Sequence, residues 1–453
     1  MRAADTEGPA IEQPGRQGAG ASAVSTALLR VMGRRDLTAA VVNAVIGSGV
    51  FGLPSAVAAL TGAWSPVAVL LAGVGMFFVV LCVAELGSRF DAAGGPYLYA
   101  REAFGPAVGF HVGWLLVCTR LLSGAAVLNV LAAYLATLAP WVGTSAGRAF
   151  AMTTTVALVT AINVRGVRQA AWTVNLFTVA KLLPLALLIV LGAVHLRGDV
   201  LATQRVAAPD WAGAVLLMVF AYGGFEVAVV AAAEARRPRE DTAFAVVAGM
   251  IVVTAVYSLT QLAVVGVLPH AAGSKAPVSD ALGAMLGAGG TAVGGLAAVI
   301  SAYGWLTGFA LLIPRVLFSM AERDELPEAL VRVHPTFRTP HVAIVACSLA
   351  ALGLGLAGTF TGAATLSAIG RLIVYIVTCA ALVALRRRGG PPAGFVLPAG
   401  VTFAVLGVAF SAWLLSTRSL SQGWSVGVIV AAGAAARWGA RRRRAAPAGG
   451  RAA

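Results

Sequence analysis

Charge is scarce in this sequence. Charged side chains make up 11% of its 453 residues, where a soluble domain carries about 25%. A water-soluble fold built from this chain could not cover its surface with polar groups. Cysteine is scarce too. Cys82, Cys118, Cys347 and Cys379 all stand inside apolar runs, with neither metal-type spacing nor the pattern of a disulfide framework, and they read as small core hydrophobes. The five histidines, His111, His195, His270, His334 and His341, form no HExxH pair, and no G-x-S-x-G elbow or P-loop occurs. These absences argue against an intramembrane enzyme and a nucleotide-driven pump, and the lack of a repeated filter sequence argues against a channel. Nothing calls for a cofactor or a metal. Lysine is nearly missing as well: Lys181 and Lys275 stand against 31 arginines.

What is present in excess is apolar. Hydrophobic residues form 59% of the chain, and the mean hydropathy is +0.87. Lipid is the solvent such a surface fits, and roughly 20 apolar residues cross a bilayer as a helix. The apolar runs predict twelve spans. Five fall in a first group: 37–60, 67–90, 108–138, 149–164 and 172–196. Five more are 211–234, 243–268, 289–320, 341–360 and 363–385, and the last two are 395–415 and 423–438. The runs are too long, and alternate too little, for a β-barrel. Basic residues test the layout. With the N-terminus inside, the outer segments hold only Arg148, Arg197, Arg205, Lys275 and Arg418. Arg120, Lys181 and Arg371 lie within spans, and all the rest of the 33 fall on the inner side. That bias predicts a multi-pass protein of the cytoplasmic membrane with both termini cytoplasmic. The net charge of +15 therefore reads as affinity for an anionic lipid surface rather than for nucleic acid. Residues 1–27 lack the apolar core of a signal peptide and predict a disordered cytoplasmic tail, and 440–453 predict a second, basic one. Between them lie 28–196 and 197–388, each with five spans, and 389–439 with two.

Two spans carry glycines at mid-depth. The first contains Ile46-Gly47-Ser48-Gly49-Val50, and the sixth contains Phe220-Ala221-Tyr222-Gly223-Gly224-Phe225. Glycine weakens a helix by about 1 kcal/mol relative to alanine. A lone pair of glycines would serve close helix packing. Two such sites five spans apart lie in halves of opposite direction, which points to a substrate site where inverted repeats meet. Unwound backbone in lipid exposes N–H and C=O groups that need partners, and a zwitterion supplies both. Its carboxylate suits the N–H groups of 47–49, at the positive start of a half-helix. Its ammonium suits the carbonyls of 220–223. Phe220, Tyr222 and Phe225 are candidates to shape the side-chain pocket.

Charges inside the membrane are costly and usually functional. Lys181 lies near mid-depth in the fifth span, and burial can bring a lysine, unlike an arginine, into a range where it exchanges a proton. It is the candidate coupling residue. Arg120, Glu226 and Arg371 lie at mid-span and predict charge pairing, or a gate on the pathway.

These stretches resemble a known family. IGSGVFGLP at 46–54, AELGSRF at 84–90 with AGGPYLY at 93–99, and NVRGV at 163–167 with AKLLP at 180–184 stand in its order. So do FAYGGFE at 220–226 with Glu234 and Arg237-Pro238-Arg239, and RVLFSMA at 315–321 with Leu326-Pro327 and Thr339-Pro340. Together they are similar to the amino acid–polyamine–organocation (APC) superfamily of permeases. The resemblance implies a LeuT fold, an all-α polytopic architecture of 5+5 inverted helices plus two. It further implies secondary transport of amino acids by alternating access. It also implies sodium independence, because Lys181 stands where sodium-coupled relatives hold the ion, and hence proton symport or exchange. The chain departs from the pattern in Glu240-Asp241-Thr242 after Arg239 and in Pro314 before Arg315. Few acids lie at mid-depth, so the expected cargo is a neutral amino acid rather than a polyamine or cationic one. Export or exchange remains an alternative, and monomer and homodimer are both open.

Overall fold

In the computed structural model, residues 33–90, 94–166, 171–226 and 237–445 are described. Among them every regular element is helical. In chain order these are α1 Arg34–Val45, α2 Gly49–Thr61, α3 Ser65–Arg89, α4 Gly95–Phe104, α5 Pro106–Leu138 and α6 Ser145–Arg165. Then come α7 Ala171–Val194, α8 Gly198–Thr203, α9 Trp211–Tyr222, α10 Pro238–Val267 and α11 Pro277–Leu286. The last five are α12 Ala288–Glu322, α13 His341–Ala357, α14 Phe360–Arg387, α15 Gly400–Ser416 and α16 Leu420–Ala445. By length and composition, six helical stretches could cross a membrane: 49–89, 106–138, 145–165, 240–267, 288–322 and 360–387. Shorter apolar helices occupy 179–194, 211–222, 341–357 and 400–416.

The apolar runs therefore locate the helices, with local corrections. The run at 37–60 is two helices, α1 and α2, with an interruption at 46–48. The run at 211–234 is helical to Tyr222, and residues 227–234, with Glu234, lie outside the described residues, as do the tail at 1–27 and residues 446–453; the tail expected from 440 is instead helical to Ala445, as the end of α16. The span expected from 395 begins at Gly400, after Pro398 and an Ala399 at positive φ. Three helices went unread: α4, α8 and α11. Gly105, at φ +92°, allows the sharp corner between α4 and α5.

Packing forms two apolar cores. One gathers α1, α2, α3, α9, α10 and α14, and includes Leu37, Phe51, Met76, Tyr222 and Tyr375. The other joins α5 and α6 with α12 and α13 through Phe110, Met152, Phe309 and Leu317. The helix α5 packs on α14, α12 and α13, and α3 packs on α10 and α9. The outer surface is apolar as well. Leu70, Val74, Phe150, Leu183, Val190, Leu349 and Trp424 are all exposed, which suits lipid and not water. Polar clamps tie helix ends. Glu85, fully buried, accepts from Arg89 Nη2 at 2.7 Å, from Arg386 Nε at 2.9 Å and Nη2, and from the Leu397 amide at 3.0 Å. At the other end of the bundle, Arg148 Nη2 reaches Asn129 Oδ1 at 2.6 Å and the carbonyls of Gly355 and Gly358.

Candidate functional site

The two glycine sites are both interruptions, and they lie against each other. In the first, Ile46 takes φ −70° and ψ 83°, and the Gly47 amide donates back to the Val45 carbonyl at 2.7 Å. That is an inverse γ-turn, and it ends α1. The new helix starts at Gly49, where the Phe51 and Gly52 amides both donate to the Ser48 carbonyl. Among the described residues, the amides of Ser48, Gly49 and Val50 make no main-chain hydrogen bond. These are orphan donors of a helix start, and Ile46, Gly47, Ser48, Gly49 and Val50 are all buried.

In the second interruption α9 ends at Tyr222. Gly223 is extended, Gly224 lies at φ +130°, and the turn runs through Phe225 to Glu226. A side chain at Gly49 would meet Ala221, with its Cβ 2.9 Å away, and one at Gly224 would lie 2.7 Å from the Ala44 carbonyl. The glycines thus allow main chain to meet main chain. Tyr257 of α10 binds both segments. Its hydroxyl lies 2.7 Å from the Val45 carbonyl and 3.1 Å from the Ala221 carbonyl.

Aromatic side chains pack around the two interruptions. Phe220 meets Phe360 edge to face at 6.2 Å, and Phe225 lies 5.8 Å from Tyr375. Tyr222 turns elsewhere: its hydroxyl donates to the Val69 carbonyl of α3 at 3.0 Å, and its ring packs on Tyr257. Trp305 of α12 covers Gly47 and stacks on Phe309 at 5.6 Å.

The intramembrane charges separate into two groups. Lys181, 6% exposed, donates from Nζ to the Asn43 carbonyl at 2.5 Å. An ammonium on the last turn of α1 meets the negative end of that helix. Glu226, 7% exposed, belongs to the other group. Its Oε2 accepts from the Gly224 amide at 2.9 Å and lies 3.3 Å from Arg120 Nη2. Its Oε1 accepts from the Tyr375 hydroxyl at 3.1 Å. Arg371 stands beside this pair, with its guanidinium packed so closely on Gly223 that a Cβ there would overlap it. Its Nη2 donates to Ser123 Oγ at 3.1 Å, and its Nε lies 3.4 Å from Ser367 Oγ.

Sequence reasoning thus named the residues of both interruptions and all four mid-span charges, but missed Tyr257, Trp305, Tyr375 and the two serines. Tyr257 and Tyr375 are hydroxyls inside apolar runs and could have been suspected on that ground. Ser123 and Ser367 sit in helices without any local signal.

The family described as "Amino acid permease" matches residues 32–434. The chain is similar to the serine/threonine exchanger SteT of Bacillus subtilis, at 29% identity over 87% of this chain and 92% of that one. It is similar to the methylthioribose transporter of the same organism, at 27% over 81% and 84%. It is also similar to that organism's branched-chain amino acid permease BcaP, at 26% over 88% and 89%. All are transporters and none is an enzyme.

Proposed function

We propose, on the premise that this chain belongs to the amino acid permease family, that it carries amino acids across the cytoplasmic membrane by alternating access, without sodium. Membership makes it a multi-pass membrane transporter of small-molecule amino acids and not an enzyme. The rest is our reading. Twelve spans place both termini in the cytoplasm. Residues 28–196 and 197–388 are inverted five-helix repeats, 389–439 add two helices, and the tails at 1–27 and 440–453 face the cytoplasm.

The observation that carries this reading is the meeting of two interrupted helices, at 46–48 and 223–226, through glycine and main chain. The free amides of Ser48, Gly49 and Val50 form a cradle for the α-carboxylate at the positive start of α2. The α-ammonium approaches the carbonyl side, where Val45 and Ala221 share a single tyrosine hydroxyl. A cationic or polyamine cargo fits poorly, since Arg120 and Arg371 outnumber Glu226. A neutral amino acid satisfies the main-chain cradle. Lys181 occupies the end of α1 and takes the place of a bound cation there. Its protonation couples transport to a proton gradient by making or breaking the contact with Asn43.

Exchange is the second reading, favoured by the similarity to a serine/threonine exchanger over most of both chains. Uptake of a panel of labelled amino acids into proteoliposomes tests the proposal, with and without an inward proton gradient and with a loaded interior. Stimulation by the gradient supports symport, and a strict need for internal amino acid supports exchange. Lys181→Met is expected to abolish gradient-driven uptake. Full gradient-driven uptake by that variant rules out the coupling role.

A further inference from the structure

Among the described residues, the charges around Gly223 do not cancel. Arg120 and Arg371 contribute two guanidinium groups and Glu226 one carboxylate. Glu226 already accepts from the Gly224 amide and Tyr375 and pairs with Arg120. Arg371 is 3% exposed, and among the described residues no carboxylate lies within ion-pair distance of it. Among the described residues its guanidinium faces neutral hydroxyls, those of Ser123 and Ser367, themselves 3.0 Å apart, and of Tyr375. The remaining nitrogen, Nη1, is buried with no hydrogen-bond partner, and it is the atom that presses on Gly223. Lys181 does not enter this balance, since it is engaged at Asn43 on the end of α1.

An unpartnered guanidinium nitrogen in a low-dielectric interior is expensive. A guanidinium's planar N–H groups match the geometry of a carboxylate, the anion an amino-acid cargo can carry. A zwitterionic amino acid brings no net charge, so a neutral side chain would leave the excess positive charge in place. A side-chain carboxylate would cancel it. Gly223 stands two residues beyond Ala221, which Gly49 meets, so Arg371 packs on the same pair of interrupted segments as the amide cradle. We infer that Arg371 forms a subsite for the side-chain carboxylate of the cargo, and that the protein selects dicarboxylic amino acids over their uncharged isosteres. This rests on the transport site proposed above and replaces the neutral cargo read from the sequence with an acidic one.

The test uses the purified full-length protein in proteoliposomes, with labelled L-glutamate and L-aspartate set against L-glutamine and L-asparagine. The wild type is expected to take up the acids faster than the amides by roughly tenfold or more. Arg371→Gln is expected to collapse that ratio, and Arg371→Lys to restore part of it. A merely structural arginine would lower all four rates together. Thermal shift in detergent covers the case of a transport-dead variant: millimolar glutamate, but not glutamine, should stabilise the wild type and lose its effect in Arg371→Gln. A wild type that transports neutral amino acids, with neither acid transported nor competing, overturns the subsite and leaves the transport reading standing. If neutral uptake requires chloride and Arg371→Gln removes that requirement, the subsite holds an inorganic anion and the side-chain assignment fails. If no amino acid is transported, the transport reading falls, and the glutamate shift alone decides whether Arg371 binds a carboxylate.

Discussion

Single glycines at the centre are not interchangeable, and their surroundings rank them. A methyl group at Gly223 would overlap the Arg371 guanidinium. Gly223→Ala should therefore displace that side chain and lower uptake by roughly tenfold or more, an outcome measured in proteoliposomes at matched protein content. A Cβ at Gly47 would stand 3.1 Å from Trp305 Cδ1, a contact that a small ring shift relieves, so Gly47→Ala should be the milder change. Gly224→Ala carries backbone strain at φ +130° as well as a clash with the Ala44 carbonyl. It should lower stability by about 2 kcal/mol or more, seen as a lower melting temperature in detergent. Much at this scale was legible beforehand. Closely spaced glycines inside apolar runs announce a helix that cannot hold its ladder, and a charge in lipid announces a role. What was not legible is direction. Nothing in the sequence says that the Tyr222 hydroxyl turns to Val69, or that Arg371 faces Gly223 while Arg120 takes Glu226. Those depend on which helix faces meet.

Helix ends are held by buried polar groups, and these give the elements their register. Glu85 gathers Arg89 on its own helix, Arg386 at the end of α14 and the Leu397 amide before α15. Removing the carboxylate strands two arginines. Glu85→Ala should cost about 3 kcal/mol or more, whereas Glu85→Gln should cost less because it keeps acceptor capacity. Thermal melts of the two variants beside the wild type separate these cases. The sequence offered Glu85 and Arg89 only as part of a stretch resembling the end of the second span. Arg386 is more than three hundred residues away, and no local pattern couples it to Glu85. The helix α4 was missed for a related reason. It is ten residues long with a modest apolar face, so it lacks the uninterrupted run by which spans announce themselves. Span lengths, by contrast, were readable, because lipid demands long apolar runs and tolerates few exceptions.

At the scale of the whole molecule, the apolar outer surface and the two packed cores suit a protein that is soluble only in lipid or detergent. The proposed topology makes Gly273 external and Gly389 cytoplasmic. Single cysteines placed there, after replacement of Cys82, Cys118, Cys347 and Cys379, should label in intact cells at 273 and only after permeabilisation at 389. The reverse pattern would invert the orientation argued from the arginines. The broad class was open to reading because composition alone decides it, while the charge balance from which an acidic cargo is inferred was not, since it joins three separate segments of the chain. Tyr257 carries this to its end. One phenolic proton stands before two oxygens, those of Val45 and Ala221, and can fully satisfy only one at a time. Val45 also accepts from the Gly47 amide, so in the proposed transport cycle an arriving ammonium would take over the Ala221 oxygen and leave the phenol to its neighbour.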